Sequence, residues 1–137
     1  MNCARNSMLL LPACLMFAMG CGSEGRMAIQ GTVAVDGKPL SEGRISFTPT
    51  DGKRPQTSGS IKDGAYSITA AEGPMPGSCR VEVYSKRKTG KKVPTPGDPG
   101  VMMDEEKEMI PPDFNTASKL TVTFELNNHI YDFNLKK

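Results

Sequence analysis

Few side chains in this sequence are equipped for chemistry, and their spacing decides which chemistry is open. A single histidine, His129, stands in a chain of 137 residues. Zinc sites draw three or four ligands from His, Cys, Asp and Glu, so a lone His argues against a multi-histidine metal centre. A Ser–His–Asp relay needs a nucleophile held against the imidazole, and no nucleophile-elbow motif or other constrained partner accompanies His129. The expectation is a surface histidine, with no catalytic residue, no metal and no cofactor. Aspartates precede glycine at Asp36-Gly37, Asp51-Gly52 and Asp63-Gly64. None has the dense alternating oxygen ligands of a calcium loop, and turn formation accounts for all of them. The run Lys86-Arg87-Lys88-Thr89-Gly90-Lys91-Lys92 offers Lys86, Arg87, Lys88, Lys91 and Lys92 for contact with lipid phosphates or anionic polymers. The acidic run Asp104-Glu105-Glu106-Lys107-Glu108 follows closely enough to neutralise it, so the alternative is a solvated charged loop. With 17 basic against 15 acidic residues the formal net charge is +2, which disfavours a nucleic-acid partner and leaves only local patches for electrostatic work. Zero Trp removes the best sugar-stacking residue and leaves Tyr84 and Phe114 as the aromatic candidates.

The cysteines report on location. Met8 to Met19 is almost wholly apolar and is preceded by Arg5. A membrane-spanning helix needs about 20 apolar residues, so this run has the length of the apolar region of an export signal instead. It closes on Ala18-Met19-Gly20-Cys21, which resembles a bacterial lipobox. There the Cys thiol receives a diacylglycerol, the signal is cut just before it, and the new amine is acylated with palmitate-type chains. Leu11-Pro12-Ala13-Cys14 is a rival box, but it would leave only Met8 to Leu11 as an apolar region. A plain secreted protein cut nearby is the other alternative. Lipidation at Cys21 is the expectation, since two or more acyl chains give stable anchoring where one is marginal. Removal of residues 1–20 also removes Cys3 and Cys14, so Cys79 is left without a partner in the chain. It is then a small buried apolar residue in a domain that folds without a disulfide.

What positions these residues is a series of short strands. Gly 14 and Pro 11 favour frequent turns over long helices. After a polar tether, residues 21–26, apolar and polar residues alternate. The first strand places Ile29, Gly31, Val33 and Val35 on one face, and Asp36-Gly37-Lys38-Pro39 turns the chain. Ile45 and Phe47 mark the second strand, ended by Pro49. The third runs from about Thr57 to Lys62, and Asp63-Gly64 is a strong hairpin signal. The fourth sets Tyr66, Ile68 and Ala70 against Ala65, Ser67 and Thr69. The fifth sets Cys79, Val81 and Val83 inward, with Arg80, Glu82 and Tyr84 outward. The sixth, Lys119 to Leu126, points Leu120, Val122, Phe124 and Leu126 inward, and the seventh points Tyr131, Phe133 and Leu135 inward. Between the fifth and sixth lies a long loop at about 86–118. Its acidic part is expected to form one helical turn stopped by Pro111, and Met109, Ile110 and Phe114 are candidates to cover the sheet edge. Seven strands with frequent turns predict an all-β antiparallel sandwich over residues 27–137.

The motifs Gly31-Thr32-Val33-Ala34-Val35-Asp36-Gly37-Lys38-Pro39-Leu40, Gly59 to Tyr66, Pro76-Gly77-Ser78-Cys79-Arg80-Val81 and Ile110-Pro111 to Leu120 follow one another along the chain. Together they resemble small planctomycete-type lipoproteins that carry a carboxypeptidase regulatory-like domain. The resemblance implies a seven-stranded, transthyretin-like (prealbumin-like) β-sandwich displayed on the cell envelope, with no common reaction. It also excludes two related activities. Transthyretin-like hydroxyisourate hydrolases need several histidines and a different C-terminal motif. Intradiol dioxygenases need two His and two Tyr around iron.

The combined expectation is a non-enzymatic lipoprotein, anchored through Cys21 to a membrane of the cell envelope, on the periplasmic or the surface side. It presents a β-sandwich to an envelope protein partner or serves as structural support. The alternatives are a small-ligand or carbohydrate-binding module and a small hydrolase. A concave site with convergent polar groups would favour a ligand binder over a pure contact surface.

Overall fold

A computed structural model describes residues 25–137. The segment expected to be an export signal, Cys21 and most of the expected tether lie outside the described residues. The rest is all-β, with one short 3-10 turn at Pro112–Phe114 and no α-helix among the described residues. The strands are β1 (Ile29–Val35), β2 (Lys38–Pro39), β3 (Glu42–Pro49), β4 (Thr57–Lys62), β5 (Ala65–Ile68), β6 (Gly77–Tyr84), β7 (Lys86–Thr95), β8 (Asp98–Glu108), β9 (Thr121–Phe124) and β10 (Phe133–Leu135).

The two tight hairpins follow from aspartate–glycine pairs. A two-residue turn that matches strand twist needs positive φ at both central positions. Asp36 (φ 50°) and Gly37 (φ 79°) meet that requirement between β1 and β2, and Asp63 (φ 51°) and Gly64 (φ 78°) meet it between β4 and β5. Asp and Gly tolerate this region because of local hydrogen bonding and the missing Cβ.

The body is one curled sheet in the order β10-β1-β5-β4-β3-β6-β9, with β2 beside β1. Neighbours are antiparallel except β1 and β10, which run parallel with Val33 beside Phe133 and Val35 beside Leu135. The curl brings the two ends of the sheet together. Phe124 on β9 meets Tyr131, just before β10, edge to face with ring centroids 4.8 Å apart. The Tyr131 hydroxyl accepts the Glu125 backbone N–H at 3.0 Å. On the other side of Phe124, Phe47 packs edge-on against it at 5.1 Å. Ile29, Val33, Ile45, Phe47, Cys79, Val81, Val83 and Phe124 are essentially closed to solvent. The closure depends on Gly31: a Cβ there would lie 1.8 Å from the Tyr131 carbonyl oxygen. The Tyr66 hydroxyl donates to that same oxygen at 2.6 Å. Burial, and the nearby charge of Asp132, push the Tyr66 phenol well above its ordinary range.

Five sequence expectations need correction. The described residues hold ten strands rather than seven: those expected from alternation correspond to β1, β3, β4, β5, β6, β9 and β10, and β2, β7 and β8 are additional. The segment at about 86–118 is not a long loop with a helical turn. Most of it is the β7–β8 hairpin, because the basic run and the acidic run pair as antiparallel strands, Lys86 opposite Glu108, Lys88 opposite Glu106 and Lys92 opposite Asp104. Opposite charges placed directly across a ladder stabilise it. The final strand is parallel to β1, so the sheet is not wholly antiparallel. Leu126 points outward and is 66% exposed, because β9 ends at Phe124 and alternation no longer governs the residues beyond it. Of the three residues expected to cover the edge, Ile110 is buried and Phe114 half-buried against the core, while Met109 is exposed.

Candidate functional site

The body has two poles, set by the run of β1 and β6. At one pole the chain enters. Met27 N–H donates to Pro74 O at 3.0 Å, and Arg26 reaches Gly73 O at 3.3 Å. Arg54 gathers Met75 O, Pro76 O and Ser78 O at 3.2, 2.7 and 3.0 Å beside the start of β6. His129 belongs to this pole: its Nδ1 lies 2.9 Å from Ala28 O, and its surroundings are exposed. At the opposite pole β1 and β6 end, β3 begins and the β7–β8 hairpin leaves the body. The hairpin root is tightly held. Ser85 N–H and Ile110 N–H both donate to Glu108 Oε1, at 2.8 and 3.0 Å. Met109 N–H donates to Ser85 O at 2.8 Å, and Ser85 Oγ donates to Glu42 O at 2.6 Å.

Beyond this root the hairpin is an arm. Every residue of β7 is exposed except the half-buried Val93 and Thr95, and no element of the body packs along it. Its charges are arranged by the ladder. Asp104 accepts from Lys88 Nζ at 2.7 Å and Lys92 Nζ at 2.6 Å. Those two hydrogen bonds hold the Asp104 carboxyl down at about 2, and Asp104 in turn raises Lys88. Two members of the basic run are therefore spent within the arm. Lys86, Arg87 and Lys91 have no carboxylate partner among the described residues, and Arg87 donates to Ser41 Oγ at 3.0 Å. Val101 and Met102 near the tip are each 52% exposed, and Met103 43%. The arm thus carries charge neutralised at Asp104, free cations at its root and at Lys91 midway, and an apolar tip.

A second surface lies beside the root, on the outward face of β3 and β6. Cross-strand register places Arg44 opposite Tyr84, Ser46 opposite Glu82 and Thr48 opposite Arg80. A groove of about 530 Å³ runs over Gly43, Arg44, Ser46, Gln56, Glu82, Tyr84 and Lys86. Glu82 is 8% exposed although its strand position points outward. It accepts from the Tyr84 hydroxyl at 2.8 Å and from Arg80. The hydrogen bond to Glu82, then burial, raise the Tyr84 phenol. Arg44 donates to Ser58 Oγ at 3.0 Å. The sequence reading singled out Tyr84 but missed Arg44, Ser46 and Glu82. The i, i+2 spacing of Arg80, Glu82 and Tyr84 was the available signal; their juxtaposition with Arg44 depends on a strand pairing that spacing alone does not reveal.

The remaining predicted site residues are scattered. Cys79 is buried and has no disulfide partner among the described residues, and burial raises its thiol above the ordinary range. Phe114 packs against the core rather than standing free. Among the described residues no three His, Cys, Asp or Glu side chains gather into a metal-sized group.

No family model matches the chain. No curated protein matches it either. Among solved structures it is similar to a 9R-lipoxygenase from Cyanothece PCC8801, at 12% identity and a TM-score of 0.40. The match covers 97% of this chain and 18% of that one. A likeness this loose says nothing of chemistry.

Proposed function

We propose that the protein is a non-enzymatic lipoprotein of the cell envelope, anchored through Cys21, whose β7–β8 arm makes contact with an envelope protein partner. The observation that carries this reading is the opposition of the poles: the chain enters the body at one end and the arm leaves from the other. At most five residues, 22–26, separate Cys21 from the body, a reach of about 3.3–3.6 Å each. An anchor there keeps the entry pole near the lipid. Leu126 and Ile130, 66% and 57% exposed, belong to the same pole and suit a membrane-facing side. The eight residues of β6 then raise the arm root by about 26 Å, and ten residues of arm add up to about 33 Å. The basic run is therefore presented away from the anchoring membrane, which favours a protein or polymer partner over the lipid phosphates of that same membrane. Confinement to a surface makes weak contacts effective by raising local concentration.

Two observations support contact over catalysis. His129 is exposed and its ring has no hydrogen bond to a carboxylate or a nucleophile among the described residues, and Cys79 is enclosed with a raised thiol. A general acid or base needs reach to a reacting group and a tuned neighbour. For the body we propose the transthyretin-like β-sandwich form, supported by the order of the hairpins along the chain and by the enclosed aromatic centre. The groove at Arg44, Glu82 and Tyr84 favours one second reading, a small-ligand or carbohydrate-binding module. Photo-crosslinking from Lys91 in intact envelopes tests the main reading. A discrete partner captured from Lys91, and not from Ser67 on the body, supports it; equal capture from both positions contradicts it.

A further inference from the structure

We propose that the hollow at the arm root binds a short aliphatic carboxylate, the chemistry shared by a medium-chain fatty acid and by a peptide ending on an aliphatic residue. This site is separate from the arm's outer contacts and does not depend on the lipid anchor. The hollow has a volume of about 340 Å³. At about 30 Å³ for each water-sized group this accommodates roughly ten or eleven heavy atoms. Its floor is apolar and is supplied from three parts of the chain: Val35 at the end of β1, Leu40 after β2, and Ile110 at the arm root. Leu40 and Ile110 are buried, whereas Met109 stands 43% exposed at the mouth.

The polar groups of the rim are selective. Lys38 and Arg87 line the hollow, and neither has a carboxylate partner among the described residues. Asp36 and Glu108, the side-chain carboxylates nearby, each have one oxygen engaged by backbone amides, and Glu108 Oε2 is buried with no partner among the described residues. Asp36 Oδ1 accepts Lys137 N–H at 2.9 Å, and Glu108 Oε1 accepts Ser85 and Ile110 N–H. Arg87 is held at the rim by its hydrogen bond to Ser41 Oγ, which fixes a planar fork suited to a carboxylate. A mostly apolar concavity with a few placed polar groups is the usual form of a small-ligand site. An apolar tail would cover Leu40 and Ile110, and its carboxylate would pair with Arg87 and Lys38. A neutral ligand would leave both cations unanswered.

The test uses the purified full chain, with methyl NMR on Leu40 and Ile110, two matched probe pairs and one double variant. Octanoate is compared with octanol, acetyl-Leu with its C-terminal amide, and wild type with Arg87→Gln/Lys38→Gln. Saturable shifts at both methyls are expected, with the neutral member of each pair weaker by about tenfold or more, since charge-assisted hydrogen bonds are lost. The double variant alters only exposed side chains, so the body stays folded and the affinity for carboxylate should fall by a similar factor. The fatty-acid and peptide arms show which source fits. Equal binding of acid and neutral probe, an unchanged double variant, shifts confined to other residues, or no binding of either acid at millimolar concentration would each overturn the proposal.

Discussion

At the scale of single residues, the arm's charge and the body's core make separate predictions. Asp104 is held at about 2 by hydrogen bonds from Lys88 and Lys92. A depressed carboxyl contributes stabilisation above its ordinary value and loses it as pH falls through the depressed one. The pairing of the arm should therefore persist through mild acid and loosen only as pH drops from near 4 toward 2. A carboxyl carbon titration of Asp104 checks this, and a midpoint near 4 would contradict it. In the core, Phe124 lies between Phe47 and Tyr131, whereas Thr123 is exposed on the same strand. Phe124→Ala should cost about 3–5 kcal/mol through the cavity it leaves, and Thr123→Ala should cost little; denaturant unfolding compares them. Cys79 should resist alkylation in the folded protein and react on unfolding, since it is enclosed and its thiol is raised. Strand alternation made the inward face of Phe124, Val81 and Cys79 legible in the sequence. The burial of Glu82 was not legible, because it also depends on β3 lying beside β6, with Ser46 directly opposite Glu82.

At the scale of elements, the arm is the instructive case. Its prolines, glycines and charge runs read as a loop, and the two runs of opposite sign were visible as able to neutralise each other. Their registration as antiparallel strands was not visible, because nothing local specifies which Lys faces which acid. Two irregularities interrupt the register, between Lys88 and Lys92 and between Pro94 and Thr95, which hides the alternation further. An isolated two-stranded hairpin is marginally stable at best, and this one is secured at its root by Glu108 and Ser85. Deleting Lys88 to Asp104 should accordingly leave the unfolding midpoint of the body nearly unchanged, since loop closure varies slowly with length. Glu108→Ala, by contrast, removes the acceptor of Ser85 and Ile110 N–H and should release the arm. Hydrogen exchange at Ile110 and Ser85 would then accelerate while exchange in β3 and β6 holds. The tight turns lie at the other extreme of legibility, since Asp36-Gly37 and Asp63-Gly64 announce themselves by residue type alone.

At the scale of the whole molecule, the claim is directional: an anchor at Cys21, the body standing on its entry pole, and the arm carried to the far side. Seven of the strand segments were legible, but β7, β8 and the arrangement into poles were not. That arrangement arises from the parallel pairing of β10 with β1, which returns the end of the chain to the arm pole, and from the curl that joins β9 to β10. The most direct measurement is fluorescence quenching of the lipidated chain in vesicles that carry a headgroup quencher. One label is placed at Leu126 on the entry pole and another at Gly97 at the arm tip. The account predicts vesicle association that requires Cys21, strong quenching at Leu126 and little at Gly97, with tens of ångströms between the two positions. Quenching at Gly97 equal to or stronger than at Leu126, or vesicle association unaffected by Cys21→Ser, would contradict it.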